Sequence, residues 1–341
     1  MVRSAALIVN TPDVWLSVLF SGLASIVLGV ILAKLGQRFP EKTFFQYNRI
    51  IVGKFFGWII SAYVIIFYIL LAALETRLIA ELVHTYLLLR TPIEVVIISF
   101  MCVSTYLTVG GINPIARTFE LYLSIIVFML ISILLLGLQH FELDNVLPVL
   151  GKGLLPVIKG MKATLLVYVG YEVIMILTAF MKEPRKAVKA VVAGTAIPVL
   201  IYIIVSVISI GVLTVDEIKI LTWPLTSLVN SIEYPGGFIE NFQIFFLIVW
   251  ILAIYTTYVG AHYAASLGLS QIFNKDFGIF VYALNPVIYV LSLMPQNMSE
   301  VFRFGELIGY LGITVSGFIP ILLYIIAIIR KKGGSPKRNE T

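Results

Sequence analysis

The stretch LLVYVGYEVIMIL, Leu165 to Leu177, sets a glycine and a glutamate in the middle of an otherwise apolar run. What surrounds that carboxylate decides how it is read. Of the 341 residues 60% are hydrophobic and only 12% are charged, and mean hydropathy is +1.02. No soluble chain with a polar surface carries that balance, so the sequence describes an integral membrane protein. A bilayer core of about 30 Å takes roughly 20 apolar residues per helix, because lipid offers backbone groups no partners. The runs are long and continuous rather than alternating, which selects helices over a barrel and makes the chain an all-α polytopic membrane protein.

About nine spans are expected, near 14–33, 55–80, 93–109, 119–138, 162–181, 189–213, 241–268, 277–294 and 306–329. They form a single transmembrane domain over 1–341. The two longest connections, 139–161 and 214–240, are partly apolar and would lie along the membrane surface. Sixteen of the 24 basic residues fall on one side of this arrangement: Lys34, Arg38, Lys42, Arg49, Lys54, Arg117, Lys182, Arg185, Lys186, Lys189, Lys275 and the tail residues Arg330, Lys331, Lys332, Lys337 and Arg338. The basic tail at 330–341 is therefore expected in the cytoplasm. A net charge of +6 placed there needs no nucleic acid. It reads as topogenic charge facing an anionic leaflet rather than as a specific lipid site. Nine spans with a cytoplasmic tail would put the N-terminus outside, and the opening MVRSAALIVNTPD lacks the features of a signal peptide.

Little in this chain points to catalysis, a metal or a cofactor. A lone Cys102 reads as a small core residue. His84, His140 and His262 have no metal-ligand spacing, and His262 reads as a packed polar group. GGINP at Gly110 to Pro114 is a helix-breaking turn without a phosphate-binding fingerprint around it. No nucleophile and base stand in a recognisable pattern, so an enzyme is not expected.

Intramembrane polar groups are the remaining candidates. Glu172 falls near the midplane, where a charge costs about 2.5–3.5 kcal/mol on insertion scales. Gly170 lowers helix propensity by about 1 kcal/mol relative to alanine, and Tyr171 adds a phenolic donor. A helix unwound at Gly170 would free backbone groups for a small zwitterion, as in transporters with broken helices. The alternative is a protonated Glu172 hydrogen-bonded to a neighbouring helix, with Gly170 serving close packing. Tyr68, Ala72 and Glu75 share a helix face. Arg77 can pair with Glu81 one turn on, and Arg303 with Glu306 resembles a second interfacial pair. Thr257, Ala261, Ala264 and Gly268 form a small-residue stripe suited to packing. The cluster Thr256, Thr257 and Tyr258 would place hydroxyls at mid-depth for a ligand carboxylate or an ion. Asn285 with Pro286 reads as a kink.

Three blocks carry a family resemblance: NTPDVWLSVLFSG at 10–22, GYEVIMILTAFMKEPRKAVKA at 170–190 and TWPLTSLVNSIEYPGGFIENFQIFFLIVWILAIYTT at 222–257. They resemble the B subunits of spore nutrient germinant receptors. These form the endospore germination permease family, within the amino acid, polyamine and organocation transporter superfamily. The resemblance spans essentially the whole chain. It implies two inverted five-helix repeats around a pocket of amino-acid size. Residues 14–138 would be the rest of the first repeat, with four spans, and 162–329 the second, with five. The family's first helix would precede the TPD segment, leaving Met1 to Asn10 as its tail, which accounts for the odd number of spans.

The resemblance further implies a nutrient-sensing subunit working with A and C subunits in the spore inner membrane. Gly170, Tyr171 and Glu172 would lie on the broken sixth helix, with Tyr68 and the Thr256–Tyr258 cluster facing the same pocket. A proton- or cation-coupled amino acid transporter is the alternative, with Glu172 as the carboxylate that titrates.

Overall fold

A computed structural model describes residues 2–221, 223–230 and 242–334. Its described residues are almost entirely helical, with no strand among them. In chain order the helices are α1 (Val2–Val9), α2 (Val14–Gln37), α3 (Phe44–Val52), α4 (Lys54–Tyr86), α5 (Ile93–Val109), α6 (Ile112–Gly137), α7 (Leu154–Leu165), α8 (Ile174–Leu177), α9 (Ala187–Ile220), α10 (Pro224–Asn230), α11 (Phe242–Phe273), α12 (Phe277–Leu293), α13 (Met298–Ile313) and α14 (Ile319–Ile329). The tail residues Lys337 and Arg338, and residues 231–241 of the third resemblance block, lie outside the described residues.

Six helical runs are long and apolar enough to cross a membrane: Val14–Gln37, Lys54–Tyr86, Ile112–His140, Pro184–Ile220, Phe246–Phe273 and Met298–Ile329. A seventh candidate is the broken pair Leu154–Tyr168 and Tyr171–Phe180. Large apolar side chains such as Phe55, Phe128 and Leu200 stand on the surface, where only lipid would solvate them.

Local chemistry sets the ends of these helices. Asn10 adopts a left-handed φ of 51° and stops α1. The buried Asp13 then accepts from the Thr11 hydroxyl at 2.9 Å and from the Leu150 N–H at 2.7 Å, tying the α1–α2 corner to the loop before α7. Gln46 accepts from the Thr43 N–H at 3.1 Å ahead of α3, and Asp276 and Asn297 cap α12 and α13 through Gly278 N and Glu300 N. Gly111, with φ of 77°, makes the expected turn between α5 and α6.

The chain divides into two compact units. One comprises 1–27, 121–168 and 193–252, and its core gathers Val2, Val9, Val14, Leu134, Val205 and Ile210. In it α1 packs on α7, where Gly160 lets Val9 and Ser17 approach its backbone. The other comprises 28–120, 169–192 and 253–341, and its core is built on Phe44, Phe45, Tyr47, Phe67, Tyr68 and Tyr258. There α4 packs against α3, α5, α12 and α13.

Several expectations change. The fifth apolar run begins at Leu154 rather than 162, because Pro156 is tolerated in a first helical turn and Lys159 and Lys162 continue the helix. The last run begins at Met298 rather than 306 and carries a π-helical segment at Thr314–Phe318. Cys102 is exposed on α5 rather than packed in a core. Arg303 and Glu306 form no ion pair; Glu306 accepts from the Tyr310 hydroxyl at 3.1 Å instead. By contrast, Arg77 and Glu81 pair at 2.7 Å. In the stripe on α11, Ala261, Ala264 and Gly268 are packed inside, with Ile65 and Phe45 close to Gly268, whereas Thr257 is exposed. The α12 helix continues through Pro286, and Asn285 accepts from the Thr105 hydroxyl at 3.1 Å.

Candidate functional site

Between Leu165 and Phe180 the backbone does not sustain an α-helix. It passes from α7 through a 3-10 turn at Leu166–Tyr168, then Val169 and Gly170, a second 3-10 turn at Tyr171–Val173, the single turn of α8 and a third 3-10 turn at Thr178–Phe180. Three causes converge at the break. Val167, Val169 and Val173 are β-branched and Tyr168 and Tyr171 aromatic, so χ1 crowding weakens the helix. Gly170 takes φ of 138°, a conformation that a side chain would strain. Nothing lies within 4 Å of where a Cβ would stand on Gly170, so the position requires the backbone shape rather than the space. Finally, Glu172 Oε2 accepts the Gly170 N–H at 2.6 Å, replacing a helical bond with a local side-chain bond.

Glu172 is 1% exposed. It sits in the 3-10 turn that packs on the π-helical segment, while α8 packs on α3. Tyr68 on α4 is also buried, within electrostatic reach of Glu172 and Tyr47, and its hydroxyl has no hydrogen-bond partner among the described residues. Ala72 is fully buried one turn on, and Glu75 is half-buried beyond it. Tyr171 is half-buried with its ring toward Gly29.

On α11 the three candidates separate. Tyr258 is fully buried, its ring 5.0 Å from Phe100 and 5.5 Å from His262, and its hydroxyl has no partner among the described residues. Thr256 is half-buried and Thr257 exposed, and both hydroxyls donate to the Ala253 carbonyl of their own helix, at 2.9 and 3.0 Å. His262 is a packed polar residue whose Nε2 lies 3.0 Å from the Val281 carbonyl oxygen.

The fold thus brings Gly170, Glu172 and Tyr68 together, and it adds Tyr47 and the π-helical segment, which the sequence reading did not single out. Tyr47 gave no signal, since it lies in a short helix between spans. Thr314, Ser316 and Gly317 were visible as polar and small residues in an apolar run, with Ser316 now buried. Chemically this is a carboxylate beside buried hydroxyls that lack partners, a set able to hydrogen-bond a small polar molecule. Among the described residues no group of three His, Cys, Asp or Glu side chains could hold a metal ion.

Comparison with known proteins gives a consistent result. Residues 1–301 match a spore permease family described as "Spore germination protein". Spore germination protein YndE of Bacillus subtilis (strain 168) is 41% identical over 95% of this chain and 89% of its own length. Spore germination protein B2 of the same organism is 32% identical over 97% and 90%, and spore germination protein A2 is 31% identical over 95% and 88%. The chain belongs to the spore germination protein family.

Proposed function

We propose that this protein is the B-type membrane subunit of a spore germinant receptor, binding an amino acid or a similarly small polar nutrient beside the Gly170 break and so triggering germination. The observation that carries this reading is the interrupted helix at Gly170 with Glu172 and the unpartnered Tyr68 hydroxyl buried beside it. Gly170 and Tyr171 supply backbone and phenolic groups, Tyr68 and Tyr258 bring buried hydroxyls, and Glu172 lies in or beside the pocket.

A fold of two inverted five-helix repeats accords with the helices present. Nine crossings result if the six long runs, the broken pair and the two 17-residue apolar helices α5 and α12 all span. The excess of lysine and arginine at the C-terminal end supports a cytoplasmic C-terminus. A and C subunits in the spore inner membrane would receive the conformational bias that ligand binding creates.

The test is germination of spores carrying Gly170→Val in this chain. A weakened response to nutrient, with an unchanged amount of protein in the membrane, is expected; a wild-type response overturns the reading. The competing function is a proton- or cation-coupled amino acid transporter, favoured by the same buried carboxylate. Gradient-dependent uptake by proteoliposomes that is lost in Glu172→Gln would establish transport instead.

A further inference from the structure

An apolar groove of about 340 Å³ lies where the start of α4 meets the end of α14. Phe56 and Ile60 form one wall, Leu322 and Ile326 the other, and Arg330 closes one end. The Arg330 guanidinium is held in place: Nη1 donates to the Ile51 carbonyl at 3.0 Å, at the close of α3. Its other N–H groups have no partner among the described residues. Arg49 packs on Gly57, next in sequence to Phe56, and its Nε is buried without a partner. Lys54, Lys331 and Lys332 are exposed close by in sequence. None of these five cations takes part in an ion pair among the described residues.

Charge that merely orients a chain in a membrane needs only to stay in water. Here an arginine is pinned by a backbone bond at one end of an apolar groove, with further cations next to it in sequence and no ion pair to any of them among the described residues. We propose that this groove is a binding site for an anionic phospholipid, one acyl chain lying between Phe56 and Ile326 and the phosphate on Arg330, with Arg49 and Lys54 adding to the field. Guanidinium and phosphate match in geometry as well as charge. The site would bridge α3 and α14, and α3 also packs on α8 just after the Gly170 break.

The proposal is independent of the germinant reading, because lipid binding alone tests it. The full chain, purified in detergent, is titrated with phosphatidylglycerol and with phosphatidylcholine of the same acyl chains, and bound lipid is counted by native mass spectrometry. Phosphatidylglycerol is expected to be retained preferentially. Arg330→Gln should weaken it about fivefold, the effect of one basic residue at an anionic surface. Ile326→Trp, which fills the groove and keeps every charge, should also weaken it. Lys275→Gln, removing an exposed cation on the α11–α12 turn, should change nothing. Equal retention of the two lipids, or an equal loss in Lys275→Gln and Arg330→Gln, overturns the proposal.

Discussion

Tyr68 is the residue at which ligand binding and stability pull apart. A buried hydroxyl without a partner costs about 1–3 kcal/mol, and a polar ligand would repay that cost by bonding to it. Tyr68→Phe is therefore expected to leave thermal stability in detergent unchanged or higher, while weakening nutrient binding by about 1 kcal/mol, roughly fivefold. Equilibrium binding of labelled amino acids together with thermal unfolding separates the two effects. A destabilised variant with intact binding would place the hydroxyl in a structural bond instead. Glu172 differs from Tyr68 because its carboxylate already has a partner in the Gly170 N–H, so a change there disturbs the break as well as the ligand.

At the scale of elements, the break is held by what packs around it. A Cβ added to Gly312 on α13 would come within 2.6 Å of a Val169 methyl and 3.2 Å of the Phe67 ring. Val169 is the residue just before Gly170, so Gly312 fixes where the broken helix can sit. Gly312→Val is expected to cost about 1–3 kcal/mol by overpacking and to reduce the nutrient response. Gly194 on α9 has nothing within 4 Å of its Cβ position, and Gly194→Ala should be neutral or stabilising by up to about 1 kcal/mol through helix propensity. Thermal denaturation of the two variants side by side checks the contrast; similar melting shifts would remove the packing argument.

For the whole molecule the number of crossings turns on the short helix α5. At 17 residues, α5 spans about 25 Å, short of a hydrocarbon core of about 30 Å. Cys102 near its middle is exposed on the protein surface and is the one cysteine of the chain. If α5 crosses, the thiol faces lipid, out of reach of a reagent confined to water. A membrane-impermeant maleimide should then leave Cys102 unlabelled in intact membranes and react fully after denaturation in detergent. Ready labelling in intact membranes would lay α5 on the surface and reduce the number of crossings.

Composition and run length were enough to read a helical membrane protein, since lipid leaves an apolar backbone few alternatives to the helix. The interruption near Gly170 was readable too: a glycine among β-branched and aromatic residues, with a carboxylate two places on, is a local conflict that needs no distant contact. Arg77 with Glu81 could be found for the same reason, four residues apart on one helix. The exposure of Cys102, the nearness of Tyr47 to Tyr68 and the groove ending at Arg330 left no such trace. Each depends on which helix faces meet. In water a buried face announces itself by being apolar; inside a bilayer the faces turned to lipid and to protein are both apolar, so only side-chain packing distinguishes them.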